Sequence, residues 1–124
     1  MLASLALVVA VSTTCNPNTT TPKTVEKALS RPSRNNNEEM QLASFATDCS
    51  KKSQDPLAAR YLLVSAEAFM KVAQSYRGDA SAKMFWHYAA FAYGLTQYLI
   101  HDPHADASTK SRAQSILRDI QDGP

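Results

Sequence analysis

The sequence predicts an all-α protein: a small antiparallel bundle of four helices, or five with a short leading one, built on a long α-hairpin. Three observations predict it. Apolar residues recur at helical spacing over each of four segments. Start and stop signals bracket those segments: Asn35-Asn36, Asp55-Pro56, Gly78-Asp79, Asp102-Pro103 and Gly123. The composition agrees, with only 3 Gly and a mean hydropathy of −0.30. A chain of 124 residues has room for one domain.

The chain opens on a segment without a charged side chain, which continues to Pro22. The run from Leu2 to Val11, LASLALVVAV, is too short to span a bilayer, which takes about 20 residues. It resembles the apolar core of a secretory signal, with small residues at Ala10 and Ser12 for a peptidase, although a basic leading region is missing. The expected division is a signal-like segment over 1–14, a polar tether with a short helix over 15–36, and a helical domain over 37–124. The protein is therefore expected to be exported: periplasmic, secreted or membrane-anchored.

Cys15 follows the apolar run at the place where bacterial lipoproteins carry their lipidated cysteine. Ser12-Thr13-Thr14 before it departs from the usual lipobox. Its partner in an oxidising compartment would be Cys49, closing a loop of about 35 residues worth roughly 3–4 kcal/mol. The readings are ordered disulfide, lipid anchor, free thiol. The tract Asn16–Pro22 is polar and cannot bury much apolar surface. Within it, Asn18-Thr19-Thr20 matches the glycosylation pattern, a match that is common by chance. Thr24–Ser30 is expected to form one or two helical turns before Arg31-Pro32 stops them.

The first long helix is expected from about Glu38 to Lys52. Asn35 or Asn36 caps it, with Glu38 or Glu39 completing the cap, and Leu42, Phe45, Ala46 and Cys49 form its apolar stripe. The second is expected to start at Asp55-Pro56, with Asp as cap and Pro as first helical residue, and to run to Arg77. Ala59, Leu63, Ala66, Met70 and Ala73 line one of its rows, and alanines between large residues favour close helix approach. Gly78-Asp79 should end this helix, cap the next and leave a very short connection. The same residues make the integrin-type tripeptide Arg77-Gly78-Asp79, which their helix-terminus roles already explain.

Lys83 to Ile100, KMFWHYAAFAYGLTQYLI, is expected to be the central helix. It carries Trp86, Phe85, Phe91, Tyr88, Tyr93 and Tyr98, and it is apolar on most sides, with Met84, Tyr88, Phe91, Leu95 and Tyr98 in one row. The spacing of Trp86, Ala89, Ala90 and Tyr93 resembles the first helix of a tetratricopeptide repeat. The resemblance covers that helix alone, and no period of about 34 residues accompanies it, so it implies only antiparallel hairpin packing. A last helix is capped by Asp106 or Ser108 and presents Ala113, Ile116, Leu117 and Ile120.

Function is less legible. The net charge of +2 and scattered basic residues exclude the basic stripe of a nucleic-acid binder. There is no G-x-S-x-G, HExxH or Gly-rich phosphate loop, so the chain is not expected to be an enzyme, and nothing asks for a cofactor. His101, His104 and Asp106 are residue types that ligate metals, but Pro103 breaks the helical spacing a site would use. On the one polar side of the aromatic helix, Lys83, His87, Ala90, Gly94, Gln97 and His101 align. With small Ala90 and Gly94 as a floor, Trp86, His87, Tyr93 and Gln97 are the candidate binding residues of a groove for a protein segment. The expected role is thus a protein–protein interaction or accessory module at the cell envelope or outside the cell, the alternative a small-ligand or metal carrier, and the third an unrecognised enzyme. Membrane contact is expected only through the N-terminal segment or a lipid on Cys15, and a self-complementary apolar face would give a homodimer.

Overall fold

The computed structural model describes residues 14–16, 20–29, 35–78, 80 and 82–124. The signal-like run before Thr14, the glycosylation pattern at Asn18-Thr19, the linker after Leu29 and the expected cap Asp79 lie outside the described residues. The described residues form five helices: α1 Pro22–Leu29, α2 Asn36–Lys51, α3 Leu57–Gln74, α4 Lys83–His101 and α5 Ala107–Asp122. The described residues contain no strand.

Local chemistry sets most helix starts. The Asn35 side chain accepts from the Glu38 N–H at 2.9 Å, and the Glu38 carboxylate accepts from the Asn35 N–H at 3.0 Å, a reciprocal capping box that begins α2. α3 begins one residue later than expected, at Leu57, with Pro56 as the flanking residue and no side-chain cap. Asp55 is not needed there because the Gln54 carbonyl accepts the Ala58 N–H at 3.0 Å. α3 ends at Gln74, and tighter turns carry the chain to Gly78, whose φ of 87° needs no side chain to be avoided. The connection to α4 therefore spans 75–82, longer than the sequence implies, and Ala82 offers α4 no side-chain cap.

Asp106 caps α5, accepting the Thr109 N–H at 2.8 Å. That bond, helped by the Thr109 side chain and by nearby Arg60 and Arg112, holds the Asp106 carboxyl below its usual 3.8. A lowered carboxyl stabilises the fold above its ordinary range and loses that contribution as pH falls through the folded value. Asp106→Asn keeps a cap acceptor but no charge. The urea midpoint of the native protein should exceed that of Asp106→Asn near neutral pH, and the two should converge below 3.8.

The centre of the bundle is α3, not the aromatic helix. α3 packs against each of the other four helices. Ala59, Leu63, Ala66, Met70 and Ala73 face α4 and α5, where they meet Phe85, Ala89, Ala92, Leu99, Ala113, Ile116 and Ile120. Tyr61, Val64 and Ala68 face the other way, against Leu42, Ala43, Phe45, Ala46, Cys49, Val25 and Cys15. Phe69 touches both clusters. The alanines let helices approach α3 from both sides. Among the described residues α4 has neighbours on one side only and buries a single row, Phe85, Ala89, Ala92, Thr96 and Leu99.

Polar contacts tie the layers. Between α2 and α3, buried Ser65 donates to the Ala43 carbonyl at 3.2 Å and meets the Thr47 hydroxyl at 2.9 Å. Between α3 and α5, Arg112 grips Glu67 through two donors, at 2.6 and 3.2 Å. Arg77 donates to the Gly123 and Asp119 carbonyls and to the Asp119 carboxylate, and its guanidinium lies 5.2 Å from the Phe85 ring centroid.

The segment expected as a tether is packed on the bundle where it is described. Cys15 and Cys49 are joined by a disulfide. The Cys15 N–H donates to the Asp48 carboxylate at 2.6 Å, and Lys52 donates to the Cys15 carbonyl at 3.0 Å. Tyr61 donates to the Thr20 carbonyl at 3.0 Å, and Val25 of α1 is buried against α2 and α3. A sulfur held in this bond cannot also carry a thioether lipid, so the two readings of Cys15 exclude each other while the bond is closed.

Candidate functional site: the outer face of α4

The side of α4 opposite its core row is covered by no other part of the described chain. Lys83, His87, Ala90, Gly94 and His101 are exposed along its middle, and Gln97 is half-buried at its margin. Gly94 sits at the crest, where an added Cβ would meet nothing. A glycine inside a helix costs about 1 kcal/mol against alanine, and the contacts within the chain give no reason for it.

Two rows of large side chains flank this small-residue strip. On one side stand Trp86 and Tyr93, 46% and 48% exposed. On the other stand Met84, Phe91 and Tyr98, with Phe91 at 49% and Tyr98 at 57%. The rings are steadied from below. Phe91 stacks on Phe69 of α3 at 5.0 Å, and His87 meets Phe91 edge-on at 5.6 Å. Trp86 meets Phe85 edge-on at 5.0 Å, while Tyr88 stacks on Tyr76 at 5.8 Å. No Asp or Glu occurs anywhere in Lys83–His101.

The structure thus places Trp86, His87, Tyr93 and Gln97 on one face of one helix. It does not give them the walls of a groove. Among the described residues no helix packs over this face, so the surface is a ridge with a shallow valley at Ala90 and Gly94. Phe91 and Tyr98, which the sequence sets in an apolar row of a central helix, belong to this exposed face. Nothing in their spacing separates them from core residues. The available signal was the size of the chain, whose few helices cannot surround a helix apolar on most sides.

The residues considered for a metal are not brought together. His101 Nδ1 lies 2.9 Å from the Gln97 carbonyl of its own helix, His104 is exposed, and Asp106 is engaged at the α5 cap. Asp102, buried at the end of α4, accepts the His104 N–H at 2.9 Å. Among the described residues no three His, Cys, Asp or Glu side chains are grouped to hold a metal ion. No helix among those residues is long and apolar enough to cross a membrane.

An open cleft of about 590 Å³ lies between Thr20-Thr21 and the turn from Lys52 to Leu57. Its two strongest donors, the Lys52 ammonium and the Tyr61 hydroxyl, are already spent on the Cys15 and Thr20 carbonyls. It presents no convergent polar set for a ligand.

No family model, no curated protein and no solved structure matches this chain.

Proposed function

We propose that the protein is an exported helical interaction module, not an enzyme, whose working surface is the outer face of α4. One observation carries this reading: half-exposed Trp86, Phe91, Tyr93 and Tyr98 surround an interior helix glycine that has open space above it. Aromatic residues are enriched in the cores of protein interfaces, and here four half-exposed rings stand on one helix face. Small residues at the crest let another backbone come close, while the rings on either side supply the area. Export draws support from the Cys15–Cys49 disulfide, a bond that persists in oxidising compartments, and from the apolar run that precedes it in the sequence.

The test is site-specific photocrosslinking in the native host. A crosslinking amino acid at Tyr93 or Tyr98 should trap one protein species at high yield, and the same probe at exposed Gln114 of α5 should trap none. Equal, diffuse labelling from all three positions would remove the α4 face as the working surface.

A further inference from the structure

We infer that the protein seated on this face is a second copy of the chain, with the two α4 helices packed antiparallel across Ala90 and Gly94. The inference rests on the reading of the α4 face as the working surface, and it names the partner.

The face is self-complementary. Ala90 and Gly94 lie equally far on either side of Ala92 along α4. A two-fold axis at that level, perpendicular to an antiparallel helix pair, sets Ala90 of one copy opposite Gly94 of the other, twice over. Such an axis keeps each flank facing its own counterpart. Tyr93 then meets Tyr93 of the second copy, with Trp86 beside Gln97 further out. On the other flank Phe91 meets Phe91, with His87 beside Tyr98. Small residues oppose small ones, Tyr93 and Phe91 oppose their own counterparts, and the polar groups His87 and Gln97 lie beside Tyr98 and Trp86.

Charge selects the same orientation. α4 has no acidic side chain, with Lys83 at its start and His101 at its end. Packed parallel, two Lys83 and two aligned helix dipoles would lie side by side. Packed antiparallel, each Lys83 approaches the carbonyl end of the other α4, where the dipole is negative.

The area is sufficient. Four half-exposed rings offer about 400 Å² together, taking roughly 200 Å² for a whole ring side chain. The 19 residues of α4 form a contact line about 28 Å long. Adding the strip between the rings brings each copy to about 600–800 Å², within the range of small specific interfaces.

Analytical ultracentrifugation of the oxidised full chain tests this, read together with emission from its single Trp. The expected result is a monomer–dimer equilibrium in the micromolar range. As the dimer forms, Trp86 emission should move to shorter wavelength and iodide quenching should fall. Gly94→Gln is the deciding variant. It fits the monomer, since a Cβ there meets nothing, and it favours helix, so Tm measured below the dimer Kd should hold or rise. It blocks the close approach, so the dimer Kd should rise at least about tenfold. Gln114→Lys on α5 should change neither. The inference is overturned by a chain that stays monomeric with Trp86 open to iodide. It is equally overturned by a dimer that Gly94→Gln leaves intact, as association through the N-terminal run would be. If the chain is monomeric while a probe at Tyr93 traps a different protein, self-association falls and the interaction surface stands. If no species is trapped either, both fall.

Discussion

Phe85→Ala is expected to lower the unfolding free energy by about 3–5 kcal/mol, the range for removing a buried aromatic ring. Phe85 is fully buried in the first turn of α4, inside the cluster that joins α3, α4 and α5. Trp86 packs edge-on against its ring, and the Arg77 guanidinium lies over it. That guanidinium holds the end of α5 through Asp119 and Gly123. Losing the ring therefore opens a cavity and also removes the cation–π contact beneath the side chain that fastens the last helix. For a domain with about 5–15 kcal/mol of stability, the result is a large fall in the urea midpoint. Phe91→Ala is the control, one helical face away. Its ring is about half exposed and rests on Phe69 alone among the α3 rings, so the cost should be near 1 kcal/mol when the chain is monomeric. Equal costs at the two positions would mean that α4 is surrounded after all, as its sequence suggests.

The contrast between those two phenylalanines marks what was legible in the sequence. Signals confined to a few neighbouring residues were readable: the Asn35–Glu38 cap, the Asp106 cap, the glycine after α3 and the buried stripe of α2 ending at Cys49. Each is decided within a helical turn. The order of the layers was not readable, because it depends on how many neighbours a helix finds. α4 is apolar by any count, yet its rings can tolerate water. α3 looks weaker, with Ser65 and many alanines, yet small side chains let it be approached from both sides. The same limit applies to the site. Helical periodicity put Trp86, His87, Tyr93 and Gln97 on one face, but it could not tell that Phe91 and Tyr98 share the solvent side. In the loop after α4, residue types suggested a metal, while the geometry turned His101 back onto Gln97 and Asp106 onto its own helix.

Cys15→Ser should cost about 3–4 kcal/mol, because the bond closes a loop with a sequence separation of 34 and its loss returns that freedom to the unfolded chain. Cys49 would remain buried in α2 without leaving a cavity, so the loss reports the crosslink rather than the core. The far-ultraviolet helix signal should barely change, since α1 is only 8 residues and α2 to α5 keep their own contacts. What should change is Tyr61. Burial raises its pKa, and part of that burial comes from the segment whose Thr20 carbonyl it holds. With the clip open, its phenol should titrate closer to the ordinary 10.0 in an absorbance titration. The acid side gives a second readout. The Cys15 N–H is the first cause of the lowered Asp48 carboxyl, ahead of Lys52. A lowered carboxyl contributes above its ordinary 3.8 and loses that contribution as pH falls, so the gap between native and variant midpoints should narrow in acid. A variant with unchanged midpoint and unchanged Tyr61 titration would show that residues 20–29 hold to the bundle without the bond. The disulfide would then lend no support to export, and the N-terminal run would be left to support it alone.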